Sequence, residues 1–179
     1  VAISPDVNST HWNPSKLAFL PDKYGFSLSY SPWLQNVAPD INLAYLAGYY
    51  RLDERNVIGS SLRYFSLGNI QFTDNGGLVT GSSTPNELAF DITYARSFGE
   101  NFSLGTAIRY INSNIFQGSV ALGLDNKAAQ SVAADVSAYY KNETQLFNTP
   151  TLVAFGLNIS NIGPKLSYND SGPNYFLPT

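Results

Sequence analysis

The chain has 179 residues and a formal net charge of −3, which bounds it to one domain and argues against a nucleic-acid binder, because such proteins carry a basic stripe. Only 13% of its residues are charged, well below the roughly 25% of soluble domains, while aromatics reach 14%, with 12 Tyr and 11 Phe. The lack of Cys excludes a disulfide framework, a thiol catalyst and a zinc ribbon, and the lack of Met leads us to expect a processed or partial chain.

Residues 1–24 (VAISPDVNSTHWNPSKLAFLPDKY) hold three prolines and several Asn and Ser turn formers, so they read as an irregular leader or plug. The remainder divides into seven segments of period 2, near 25–33, 41–52, 57–72, 87–97, 101–112, 131–141 and 151–161. None has helical spacing, and no apolar run approaches the roughly 18 residues of a membrane helix.

Each segment has one bulky apolar face. In chain order we assign to it Phe26, Leu28 and Tyr30; Ile41, Leu43, Tyr45 and Tyr49; Ile58, Leu62 and Tyr64; Leu88, Phe90, Ile92 and Tyr94; Phe102, Leu104, Ile108 and Tyr110; Val132, Val136 and Tyr140; and Val153, Phe155, Leu157 and Ile159. The opposite faces are Ser, Gly, Ala, Asn and Thr, with Arg63, Asp91, Arg109 and Asp135 among them. A soluble β-sandwich module would pack the greasy faces into a core and show Lys, Glu and Arg on the others. Small polar residues suit an enclosed lumen instead. An Arg aimed at the bilayer midplane costs roughly 2–4 kcal/mol, so the charged face belongs inside and the bulky face toward lipid. The fold class expected is an all-β antiparallel transmembrane barrel, and mean hydropathy near zero agrees with it because alternating faces cancel.

The connections support this reading. LDERN (52–56) and SFGEN (97–101) are tight turns, whereas 73–86 and 113–130 are long, as in outer-membrane barrels with short periplasmic turns and long outer loops. The links WLQNVAP and KNETQLFNTP break the alternation. Alternating strand direction puts Tyr30, Tyr64 and Tyr110 near one rim and Tyr49, Tyr94 and Tyr140 near the other. Tyrosine suits such an aromatic girdle, its ring in the apolar layer and its hydroxyl in water.

Several long stretches carry a family resemblance. SLSYSPWLQNVAPDINLAYLAGYYRLDE (27–54), SLRYFSLGNIQFTD (61–74), SVAADVSAYY (131–140) and FGLNISNIGPKLSY (155–168) resemble the PorV family of type IX secretion system proteins, and SPDVNSTHWNPSKLAF (4–19) resembles that family's leader. Asn13-Pro14 is similar to the FadL-type transporters. The resemblance implies a FadL-like barrel of about fourteen strands, within the size range of bacterial barrels. On that reading residues 25–179 supply its N-terminal half, and a lone half would leave backbone groups unpaired in lipid. It also implies an integral outer-membrane protein set in lipid and lipopolysaccharide. Such a protein would receive cargo from an SprA-type translocon by the cargo's C-terminal signal domain and pass it to a surface attachment complex with a sortase-like protease. The alternative function is a FadL-like channel for hydrophobic small molecules.

The candidate partner contacts lie in outer loops. Ile115, Phe116, Val120, Leu122 and Leu124 form an apolar loop that either meets a protein or folds over the barrel mouth. Trp33 and Leu34 end the first hairpin as rim anchors or cargo contacts, and Tyr168, Tyr175 and Phe176 fall in a last outer segment. Arg63, Asp91, Arg109 and Asp135 are expected to form a structural lumen network. Nothing points to an enzyme, a metal or another cofactor: His11 is the single histidine, no GxSxG or P-loop occurs, and the Asp-Asn turns lack the spacing of a calcium loop.

Overall fold

The structure, a computed structural model, describes residues 1–33, 40–115 and 127–168. A one-turn helix α1 (Ser9–Trp12) and a 3-10 helix (Pro14–Phe19) precede β1 (Tyr24–Pro32), β2 (Ile41–Arg51), β3 (Asn56–Leu67), β4 (Ile70–Thr73), β5 (Val79–Ser83), β6 (Asn86–Phe98), β7 (Phe102–Asn114), β8 (Ala129–Leu146) and β9 (Thr149–Ile162). Seven strands form one antiparallel sheet in the order β1-β2-β3-β6-β7-β8-β9, curled into a half-barrel, and β4 pairs with β5 as a separate ribbon.

Two connections and the leader differ from the expected ones. The run 57–72 breaks at Gly68, whose φ of 78° suits glycine, so its second part leaves the sheet and pairs with β5 inside the expected long loop. KNETQLFNTP is a continuation of β8 and β9 past the rim, closed by the two residues Phe147 and Asn148 at φ 50° and 61°. This restores the short-turn habit of that side. The leader, expected to be irregular, is helical in part. Asn13 is extended, as the residue before a proline must be, and Pro14 opens the 3-10 turn with a preset φ.

The convex face carries the bulky side chains: Phe26 is 80% exposed and Ile108 63%, with Leu62, Phe90, Val136 and Leu157 also exposed. The concave face is lined by Ser, Gly, Ala, Thr and the charged residues, and the leader packs into it. One strand departs from its expected assignment. On β2 the outward residues are Leu46 and Tyr50, whereas Ile41, Leu43, Tyr45 and Tyr49 face inward. Tyr49 is only 7% exposed and packs with Leu17, Ala18 and Leu20 of the leader and with Val57 and Ala95. Both faces of β2 carry large residues because the leader's apolar side needs a partner within the barrel.

Polar contacts fix the leader's register. Asn13 Nδ2 donates to the Ala138 carbonyl at 3.2 Å, Ser103 Oγ to the Ser15 carbonyl at 2.7 Å, and the Ser15 N–H to Ser137 Oγ at 3.0 Å. The Arg51 guanidinium donates to the carbonyls of Ala18 and Leu20, and Lys141 Nζ lies 4.6 Å from the centre of the Phe19 ring. These groups sit near the tight-turn rim, so the leader fills that half of the concavity. On β7, Gly105 leaves the room it needs: an added Cβ would stand 2.7 Å from the Pro14 carbonyl carbon and from Ser15 Cα, both backbone atoms. Replacing Gly105 by Val is therefore expected to cost about 1–3 kcal/mol through overpacking. In the full-length protein this would appear as a lowered denaturant midpoint and faster proteolysis of the leader at unchanged strand content.

Candidate functional site

The interior has three levels. Nearest the turns lies the leader's apolar cluster; nearest the loops lies a second one of Ala89, Ile111, Ala129, Ala133, Leu166 and Tyr168. Between them is a buried ionic network. Asp91 on β6 stands directly opposite Arg109 on β7, and Asp135 on β8 lies diagonally across from Arg109, so all three reach inward at one depth. Arg109 Nε meets Asp91 Oδ1 at 2.5 Å and its Nη2 meets Asp135 Oδ2 at 3.1 Å, while Nη1 donates to Asn161 Oδ1 at 2.6 Å. Ser61 Oγ donates to the second Asp91 oxygen at 2.8 Å, and the Asn161 N–H donates to the second Asp135 oxygen at 2.7 Å. Arg109 is 2% exposed, and both carboxylates are equally buried.

Asn161 was not singled out from sequence. It enters the network because the β8–β9 register shifts between Ala134 and Val136, and Asn161 adopts φ 60° there. Such a bulge re-aims one side chain without disturbing the flanking pairs. A period-2 reading carries no sign of it beyond an Asn suited to left-handed backbone. The network is chemically quiet: a guanidinium gives up no proton, and every carboxylate oxygen accepts a bond.

Arg63 does not join these residues. Its Nη1 donates to His11 Nε2 at 3.4 Å, and among the described residues it makes no salt bridge. Arginine only donates, so His11 must accept through Nε2 and carry its proton on Nδ1. Burial, reinforced by the charge of Arg63 and then of Arg109, lowers the His11 pKa to about 4. The ring also meets Trp12 edge-on at 4.7 Å and Tyr45 at 6.2 Å, and the Tyr45 hydroxyl bonds to Thr10 Oγ1 at 2.9 Å. Two cavities flank the Arg63 guanidinium. One of about 210 Å³ opens toward the loops between Trp33, Leu43, Phe65, Glu87, Leu88, Ala89 and Ile111. The other, about 420 Å³, lies against the leader beside Asp6, His11, Trp12, Ser27, Ser29 and Tyr45.

Of the six expected rim tyrosines, Tyr30, Tyr64, Tyr94, Tyr110 and Tyr140 are exposed on the convex face. Tyr49 is buried inside, and its neighbour Tyr50 takes the outward position, level with Tyr24 and, through Ile58, with Tyr94. Phe98, Phe102 and Phe155 continue that row toward Tyr140. Trp33 points inward, edge-on to Phe65 at 6.3 Å, and Ile115 is half-buried. Tyr168 is no outer contact: it is 6% exposed, and its hydroxyl bonds to Ser113 Oγ at 2.6 Å, because the chain after β9 turns back into the concavity. Leu34, Phe116, Val120, Leu122, Leu124, Tyr175 and Phe176 lie outside the described residues. Among the described residues no group of His, Cys, Asp and Glu could hold a metal, and no helix is long and apolar enough to cross a membrane.

Two tests follow from these contacts. Arg109→Met would strand two buried carboxylates and is expected to cost about 3–5 kcal/mol, read from denaturant unfolding of the full-length barrel. The second concerns His11. Between pH 6.5 and about 4 the unfolded leader binds a proton that the docked one refuses. The His11 contribution to docking is therefore constant above pH 6.5 and is lost as pH falls through that window, by up to about 3 kcal/mol. Leader proteolysis or Trp12 fluorescence should follow this profile, and His11→Gln should flatten it.

The comparisons bear on what such a half-barrel belongs to. A search of curated proteins returned no match. A family model described as "Type IX secretion system protein PorV" matches residues 1–179. That family and this strand-rich fold fit the bacterial outer membrane. With a match spanning its whole length and a seven-stranded half-barrel to go with it, the chain belongs to the PorV family of type IX secretion system proteins.

Proposed function

We propose that this protein is a non-enzymatic outer-membrane shuttle of type IX secretion. It receives cargo from an SprA-type translocon through the cargo's C-terminal signal domain and delivers it to the surface attachment complex with its sortase-like protease. The observation that carries the role is the family match over residues 1–179. In this reading the convex face meets lipid, Tyr30, Tyr64, Tyr110 and Tyr50, Tyr94, Tyr140 seat the two rims at the water boundary, and lipopolysaccharide surrounds the outer one. Trp33 and Ile115 stand on the loop side, where cargo would arrive.

The leader argues for a handover surface over a conduit. It is hydrogen-bonded to strands on the inner face and rests against Gly105 with no spare room, which supports its holding the turn side of the lumen. A FadL-like channel would have to move that segment for every solute it passes.

Affinity capture of the full-length protein from gently solubilised membranes tests the proposal. Translocon subunits and signal-domain cargo are expected with it. Their absence, together with uptake of a hydrophobic solute by the isolated barrel, would transfer the role to the channel.

A further inference from the structure

Arg63 is the one described lumen cation on β3, and its surroundings are built differently from those of Arg109. Arg109 is closed in by two carboxylates and an amide. Arg63 has five N–H donors and, among the described residues, one weak acceptor, a histidine nitrogen at 3.4 Å. Glu87 lines the same loop-side cavity but is engaged by Ser113 Oγ at 2.7 Å and forms no ion pair with Arg63. The remaining wall is apolar: Trp33, Leu43, Phe65, Leu88 and Ile111.

We propose that this loop-side cavity binds a carboxylate borne on an apolar body about the size of one aromatic side chain, with the carboxylate on Arg63. The planar fork of a guanidinium matches a carboxylate in two parallel bonds. A single cation beside Glu87 suits a monoanion and disfavours a phosphate dianion. The volume agrees as well: a dry cavity of about 150 Å³ holds benzene, and this one, at about 210 Å³, adds room for a short link to the charge. The body would lie over Phe65 and Ile111. Such a group is found on a free arylalkanoic acid and on a polypeptide ending in an aromatic residue.

Binding is read on the isolated full-length barrel without partners, so the site and the secretion role stand or fall separately. The probes are 3-phenylpropionate against 3-phenylpropanamide, and capped peptides ending in Phe as free acid against amide, titrated by calorimetry and by Trp33 fluorescence. At least one acid is expected to bind ten-fold or more tighter than its amide. The arm that shows this preference identifies the source as a free acid or a chain terminus. Arg63→Gln is expected to abolish the preference, Arg63→Lys to restore part of it, and Glu87→Gln to tighten the acid several-fold by removing a like charge. Equal binding of acid and amide in both arms, no saturable binding of any probe, or a preference that survives Arg63→Gln would overturn the proposal. Should Arg63→Gln fail to assemble, the acid–amide comparison and Glu87→Gln still decide it.

Discussion

The structure depends on one partition: apolar bulk on the convex face, small polar and charged groups on the concave one. Between its edge strands β1 and β9, a curled antiparallel sheet satisfies its backbone through neighbouring strands and leaves only side chains to choose their solvent. Phe26, Ile108 and Leu157 would have no favourable place in water, and Asp91, Arg109 and Asp135 would have none in hydrocarbon. Putting all three charged residues on inward positions at one depth lets Arg109 pair with both carboxylates. The ion network therefore follows from the partition, and the partition is in turn guarded by it, since a slip of one residue in β6 or β7 would send a charge into the apolar layer.

The small inward residues create a second requirement. Walls of Gly, Ala and Ser leave a concavity too wide for strand side chains to fill. The leader fills it on the turn side, with Leu17 and Leu20 against Val57 and Tyr49 and with backbone passing close over Gly105. Its backbone polar groups at Ser15 bond to Ser103 and Ser137, side chains short enough to let backbone approach backbone. Sequence alone showed those residues as unremarkably small; the leader explains their size.

Much of the sheet was legible because period 2 is a strong signal wherever the two faces differ in bulk. Strands β6 and β7 match their expected bounds closely, and their faces follow the sequence. β2 was misassigned because INLAYLAGYYR is bulky on both sides, and only the leader's position separates Tyr49 from Tyr50. The ends were harder. Gly68, the extended β8–β9 hairpin and the bulge at Asn161 depend on local dihedrals that alternation does not report. Tyr168 looked like a loop residue by position, yet its burial depends on a return of the chain that no local pattern encodes. Of the four inward charges, Asp91, Arg109 and Asp135 are joined by ion pairs, and Arg63 makes none because its level is set by β3, where the facing inward neighbour on β6 is Ala89 and no acid.

That displacement of Arg63 gives the interior a direction. From the turn side inward, apolar packing, hydrogen bonds to the leader and then the Arg109 network occupy most of the interior, and both carboxylates and the guanidinium of that network are already paired. On the loop side the balance reverses. A cation with unused donors, an apolar wall and open volume lie together there. The cavity beside Arg63, open toward the loops and backed by the Arg109 network, is therefore the part of this interior where a ligand of the proposed kind finds unused donors.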